Sequence, residues 1–185
     1  IVHRALNAKL PNDLRVLTIW TAPDDFHARY RATARSYRYL LARKYLPLSR
    51  NYTGFLPKVR LFPKRMHELV PVLLGSHDFS SLSKENPSVR NRICELRQLE
   101  ITDCDVHIRF DVLADRFLHH MVRRIVGTLA NLAQQDLGPE VLQRILEERN
   151  PRQTLVLTAP AEGLYLTGVC YPELQLDESG PAELW

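Results

Sequence analysis

Thirteen consecutive residues, Asp115-Arg-Phe-Leu-His-His-Met-Val-Arg-Arg-Ile-Val-Gly127, carry the densest chemistry in the chain. At helical spacing, Leu118, Val122, Ile125, Leu129 and Leu132 make one apolar stripe. Arg116, then His119 and His120, then Arg123 and Gly127 follow at steps of three or four residues and stack on a second face. Such a face can be an anion-facing stripe at the edge of a cleft; a solvated basic face with a packing glycine accounts for the same residues. Gly127 inside a helix costs about 1 kcal/mol against Ala, which makes sense where another backbone or a ligand comes close. His119 and His120 are poor metal ligands, because adjacent helical residues point about 100° apart. Neither has a His or carboxylate four residues on, so no metal site is expected.

A second segment alternates rings and guanidiniums: Asp24-Asp25-Phe26-His27-Ala28-Arg29-Tyr30, then Thr33-Ala34-Arg35-Ser36-Tyr37-Arg38-Tyr39. Aromatics stack on bases and arginines hold phosphates, a combination that suits RNA. A sheet with Tyr in its core and Arg on its surface gives the same pattern. A third segment, Ser76-His77-Asp78-Phe79-Ser80-Ser81, holds Ser, His and Asp side by side. A catalytic triad is a spatial arrangement, and this run reads as a capped turn. No P-loop, G-x-G-x-x-G or G-x-S-x-G occurs.

The elements that must position these residues follow from periodicity and breakers. Residues 2–10 read as a short helix stopped by Pro11, and 14–20 as an apolar strand. A polar loop covers 21–32. Residues 34–44 alternate as a strand, with Arg35, Tyr37, Tyr39 and Leu41 on one side and Ser36, Arg38, Leu40 and Ala42 on the other. Residues 45–61 are long and irregular. Pro63 opens a helix ending near Leu74, with Gly75 as its stop, and 76–91 read as loop. Strands are expected at 93–102 and 106–113. Helices follow at 115–135, capped by Asp115, and at 139–148. A last strand spans 163–171. This α-β-β-α-β-β-α-α-β order argues for an α+β fold, a sheet with helices on one face.

The chain has 185 residues, 45% hydrophobic and 25% charged, which suits one generous domain and excludes wholesale disorder and a disulfide scaffold. The net charge is +4, mostly from Arg, and the pI is near 9.1. Arg favours planar, two-pronged phosphate contacts, so a polyanion partner is indicated but not compelled. Cys94, Cys104 and Cys170 form no C-x-x-C pair, which suggests free thiols in a reducing cytosol. No apolar stretch spans a membrane uninterrupted. The Ile1-Val2-His3-Arg4 start has no secretory character and suggests trimming or a boundary cut.

Taken in order, six segments resemble the tRNA pseudouridine synthase A (TruA) family. They are Arg4-Ala-Leu-Asn-Ala-Lys-Leu-Pro11, Asp25-Phe-His-Ala-Arg29, Ala32-Thr-Ala-Arg-Ser-Tyr-Arg-Tyr39, Gly75-Ser-His-Asp-Phe-Ser-Ser81, Phe117-Leu-His-His-Met-Val-Arg-Arg-Ile-Val-Gly-Thr128 and Glu162-Gly-Leu-Tyr-Leu166. Tyr171-Pro172 follows, and the resemblance runs from Ile1 to Pro172.

The resemblance implies a cofactor-independent isomerase that converts uridine to pseudouridine in the tRNA anticodon stem-loop, at positions 38 to 40. It implies a cytoplasmic homodimer with tRNA as partner, no DNA and no membrane. The implied fold is the ferredoxin-like half of the pseudouridine synthase fold, a mixed, mostly antiparallel sheet with helices packed on one face. Residues 1–20 would close the N-terminal half and its connecting strand, 21–172 would be the C-terminal catalytic half-domain, and 173–185 a tail. Tyr37 would be the active-site aromatic that stacks on the target base, and Arg123 the arginine paired with the nucleophilic Asp. Leu164 to Leu166 would supply an apolar wall. His27, Arg29, Arg35, Arg38, Arg116, His119 and His120 would contact tRNA.

The chain departs from the family at one place. The nucleophilic Asp belongs to a Gly-Arg-Thr-Asp-x-Gly-Val-His segment upstream of the Arg4 to Pro11 match, and this chain contains no such segment. Asp136-Leu137-Gly138 lacks the preceding Arg-Thr, and Asp111 lacks the Gly. The expectation is a chain inactive by itself. A non-catalytic RNA-binding module of ferredoxin-like fold and a dimerisation or scaffold domain are the competing readings.

Overall fold

His107–Ala114 alternates strictly: Ile108, Phe110, Val112 and Ala114 are buried, and the residues between them are half-exposed. That period of two is the signature of a strand with one covered face. In the computed structural model, which describes residues 2–172, this strand is the centre of a five-stranded sheet. The chain divides into two compact units, one up to Arg31 and one from Ala32 onward.

The first unit carries one short helix, α1 (Val2–Asn7). The expected strand at 14–20 does not form. Val16, at its middle, has both backbone groups satisfied by a side chain: its N–H donates to Asn7 Oδ1 and its carbonyl accepts from Asn7 Nδ2, each at 2.8 Å. His3 Nε2 lies 2.7 Å from the same carbonyl. A strand is a ladder, and this segment meets side chains instead.

The second unit runs β1 (Ala34–Ala42), α2 (Pro63–Leu73), β2 (Gly75–Asp78), β3 (Ile93–Asp103), β4 (His107–Ala114), α3 (Met121–Gln134), α4 (Pro139–Glu148) and β5 (Leu164–Cys170). The strand order is β2-β3-β4-β1-β5 and every ladder is antiparallel. Without β2 and α4, this is the βαββαβ order of a ferredoxin-like α+β half-domain, as expected. Tyr39, Leu41, Leu96, Ile101, Ile108 and Phe110 share one core with Met66 and Leu69 of α2, Ile125 and Leu129 of α3, and Leu142 of α4. The helices therefore cover one face. On the other, Asp111 sits between Arg38 (2.7 Å) and Arg109 (2.8 Å).

In the second unit, two further elements differ from the sequence reading. β2 forms where a loop was expected, because Gly75 adopts φ +94° and turns the chain out of α2 into a ladder with β3. Its four residues are too few for a periodic signal. And α3 begins at Met121, six residues late. Asp115 is not its cap: its Oδ1 accepts the N–H of Glu95 at 2.8 Å and of Arg116 at 2.7 Å, ending the β3–β4 pairing instead. His120 takes the left-handed conformation (φ 64°) at the helix start. Arg116, His119 and His120 therefore do not share a helical face with Arg123; only Gly127 does. The apolar stripe from Leu118 to Leu132 is buried as expected.

The tail expected at 173–185 lies outside the described residues. Among the described residues, no helix is long and apolar enough to cross a membrane. Cys94 is buried, Cys104 half-buried and Cys170 exposed, all three as free thiols.

Candidate active site

On β1, Tyr37 lies opposite Val112 of β4 and Leu166 of β5. Residues directly opposite in a ladder share a face, so Tyr37 and Leu166 stand side by side on the helix-covered face. A register shift between Ser36 and Tyr37 brings this pair together. The Tyr37 ring meets the Phe117 ring edge to face, centroids 5.0 Å apart at 84°. Leu166 is 56% exposed, a large apolar surface next to a half-buried ring. Leu164, opposite Tyr39, packs partly into the core.

Arg123 occupies the first turn of α3. Its Nε donates to the Ala159 carbonyl at 2.7 Å, and the Ala159 N–H donates back to the Arg123 carbonyl at 3.0 Å. The segment carrying Ala159 runs along α3. Asn131 Nδ2 donates to the Leu155 carbonyl at 2.9 Å, and a Cβ on Gly127 would lie 2.5 Å from the Leu157 carbonyl oxygen. The close backbone anticipated at Gly127 is this strap. Asn131, Gly127 and Arg123, four residues apart, grip it on one side of the helix. The guanidinium Nη1 is 3.5 Å from His120 Nε2. Among the described residues no carboxylate pairs with Arg123.

Positive charge gathers around the start of α3. A recess of about 410 Å³ is lined by Lys84, His120, Arg124 and Arg152, with Glu85 the one acid. Burial, with His119, Arg123, Lys84 and Arg124 adding repulsion, pulls the His120 imidazole below its ordinary pKa. Arg124, its side chain buried, donates to the carbonyls of Ser83 and Pro151, and burial lowers its pKa too. It is a structural tie between the loop after β2 and the loop after α4.

The structure brings Tyr37, Leu164, Leu166 and Arg123 to the helix-covered face. Arg35 is turned to backbone, its Nη1 donating to the carbonyls of Ala32 and Asp115 at 2.8 and 2.7 Å. Arg116 reaches the Asn91 carbonyl at 2.9 Å. His119 stacks near His120, ring centroids 4.1 Å apart, and its carbonyl accepts the Lys84 N–H. Arg38 lies on the opposite face of the sheet with Asp111. His27 and Arg29 belong to the first unit, where both lie against Tyr30. Neither Asp considered as a stand-in nucleophile meets Arg123: Asp111 is on the opposite face, and Asp136, at φ 58° beyond the end of α3, pairs with Arg65. The Ser76–Ser81 run forms no triad. Its Asp78 accepts the Ser80 N–H, and Ser81 Oγ accepts the Asn150 N–H.

Sequence reasoning missed Phe117, Tyr39 and Ala159 as members of this site. Tyr39 was legible as a second ring on the Tyr37 face. Ala159 had no signal, since its part is played by a carbonyl.

The arrangement is a cation seated on a carbonyl, an aromatic ring and an apolar wall. It can orient a carboxylate and flank a planar base, and it lacks a nucleophile of its own among the described residues. Similarity to known proteins identifies the family. The tRNA pseudouridine synthase family matches residues 70–172. A Roseiflexus sp. (strain RS-1) protein called tRNA pseudouridine synthase A is 38% identical over 189 residues, covering 98% of this chain and 67% of that protein. Proteins of the same name from Chromobacterium violaceum and Escherichia coli (strain K12) are 39% and 37% identical, covering 92% and 91% of this chain and 65% and 62% of theirs. The chain thus spans about two thirds of the length of the relatives it matches. The chain therefore belongs to the tRNA pseudouridine synthase family.

Proposed function

We propose that the full-length protein isomerises uridine to pseudouridine in the tRNA anticodon stem-loop, at positions 38 to 40, and that residues 21–172 are its C-terminal catalytic half. One observation carries this reading: Arg123 is fixed through Nε to Ala159 while no carboxylate of the described residues occupies the rest of its fork. A guanidinium within about 4–6 Å keeps a carboxylate ionised and oriented for attack. The nucleophilic Asp comes from outside this chain. It attacks the uridine, the glycosidic bond breaks, and the base turns and rejoins through carbon 5. Tyr37 stacks on that base, with Leu164 and Leu166 as the apolar wall. His27, Arg29, Arg35, Arg38, Arg116, His119 and His120 contact tRNA, and the basic recess beside α3 supports a polyanion partner. The protein works in the cytoplasm as a homodimer and uses no cofactor.

The test is tritium release from tRNA labelled at uridine carbon 5, with this chain alone and with the N-terminal segment added in trans. Silence alone and turnover on complementation is the expected result. Turnover by the chain alone would overturn the claim that the nucleophile lies elsewhere. Salt-sensitive tRNA binding without turnover in either arm would favour an RNA-binding module.

A further inference from the structure

Tyr39 is the most enclosed aromatic next to the site. It is fully buried, and its hydroxyl donates to the Pro160 carbonyl at 2.7 Å. Two glycines close on the phenol: a Cβ on Gly54 would lie 1.9 Å from its oxygen, and one on Gly163 would lie 2.9 Å from its Cζ. The ring has one place to sit, set by β1, the loop after it and the turn before β5. Pro160 follows Ala159, whose carbonyl seats Arg123 Nε.

We propose that Tyr39 is a positioning residue for Arg123: by holding the Pro160 carbonyl it fixes the end of the 155–160 strap, and with it the Ala159 carbonyl that aims the guanidinium. The inference rests on the reading of Arg123 as partner of the attacking carboxylate. Asn131, Gly127 and Arg123 hold the strap from the α3 side, and beyond Pro160 the chain passes into a turn packed on β1 at Gly163; the Tyr39 hydroxyl is the hydrogen bond that reaches from β1 to the strap itself. A guanidinium is aimed more sharply by a carbonyl that is also referenced to the sheet than by one held from its own helix alone. The β1 side supplies the independent reference, and Tyr37, two residues away on the same strand face, is referenced to it too. One rigid strand thereby sets both the stacking ring and the guanidinium.

Tyr39 is placed to hold the strap and not to reach substrate: it is fully buried and its one hydroxyl proton is committed to the Pro160 carbonyl. Burial, outweighing the opposing pull of Arg123, pushes the hydroxyl above the usual tyrosine range, which favours the donor form. This separates positioning from chemistry in the test.

The experiment is Tyr39→Phe in the full-length protein, assayed by tritium release. The expected result is a fall in kcat of about tenfold, since small misplacements of a reacting group are costly. KM for tRNA should stay within about twofold and the shape of the pH profile should be unchanged. The Arg123 Nε–H resonance, assigned by its absence in Arg123→Lys, should shift and exchange faster with solvent. The double variant Tyr39→Phe/Arg123→Lys should be no slower than Arg123→Lys alone. Wild-type kcat in Tyr39→Phe beside a dead Arg123→Lys would overturn this inference and leave the Arg123 reading standing. Losses that simply multiply in the double variant would also overturn it. Wild-type turnover in Arg123→Lys would overturn the Arg123 reading and this inference together. Should Tyr39→Phe fail to fold, Tyr39→4-fluorophenylalanine keeps the bulk of the hydroxyl without its proton, and the same readouts apply.

Discussion

Arg123 and Ala159 bind each other twice, side chain to carbonyl at 2.7 Å and amide to carbonyl at 3.0 Å. The two residues are 36 apart in the chain, and the double contact ties the first turn of α3 to the strap leading to β5. One hydrogen bond orients the guanidinium while the other fixes the strap that receives it.

Arg123→Lys in the full-length protein should therefore lose most of its turnover, about 100-fold or more, because an ammonium cannot copy a planar fork. Affinity for tRNA should stay within about twofold. Equal losses in kcat and affinity would assign Arg123 to phosphate binding. Tyr37→Phe should keep most of the activity, since the ring already packs edge-on against Phe117 and stacking needs no hydroxyl. A dead Tyr37→Phe would give the hydroxyl a hydrogen-bonding or proton-transfer role.

Gly127→Ala tests the strap from the other side. In an open helix the change gains about 1 kcal/mol. Here the added Cβ would lie 2.5 Å from the Leu157 carbonyl oxygen, a backbone atom with little room to yield. The expected outcome is a net loss of about 1–3 kcal/mol, read as a lowered denaturant midpoint. A stabilised variant would show that the strap is not seated on α3.

Stability should fall on the acid side of neutrality. His107 and His120 are both held below 6.5, chiefly by burial, with Arg109 adding to the effect at His107. Their folded pKa values are depressed, so the unfolded chain binds protons at higher pH than the native one. Their stabilisation is present above about pH 6.5 and is lost as pH falls through the folded values. Urea midpoints at pH 7.5 and 5.5 should show the drop, and the His107→Gln/His120→Gln double variant should show less of it. An equal drop in the double variant would assign the acid sensitivity to other groups.

The three thiols should separate by reactivity. Cys94 is 1% exposed and burial pushes its thiol up to about 11, whereas Cys170 is exposed. At pH 8 only about one Cys94 in a thousand is a thiolate. Alkylation followed by mass spectrometry should label Cys170 first and Cys94 only on unfolding. Early labelling of Cys94 would mean that the β2–β3 edge opens readily.

By itself, the sequence determined the alternating strands around Tyr37–Tyr39 and Ile108–Val112, the stripe of α3 and the helix opened by Pro139. In each, the periodicity is local and the buried face is continuous. It also held the six ordered segments, which pointed to the family before any geometry was known. Tertiary structure decided the rest. The segment at 14–20 has strand propensity, but strand formation depends on a partner, and Val16 found Asn7. β2 is four residues long and exists only because β3 lies beside it. The start of α3 moved from Asp115 to Met121 because Asp115 serves the end of the β3–β4 pairing, which no helical pattern can reveal. Gly127 announced a close approach but not what approached. The seat of Arg123 was invisible for the same reason: it is a backbone carbonyl, which every residue carries, and only the folded path of the chain selects the one at Ala159.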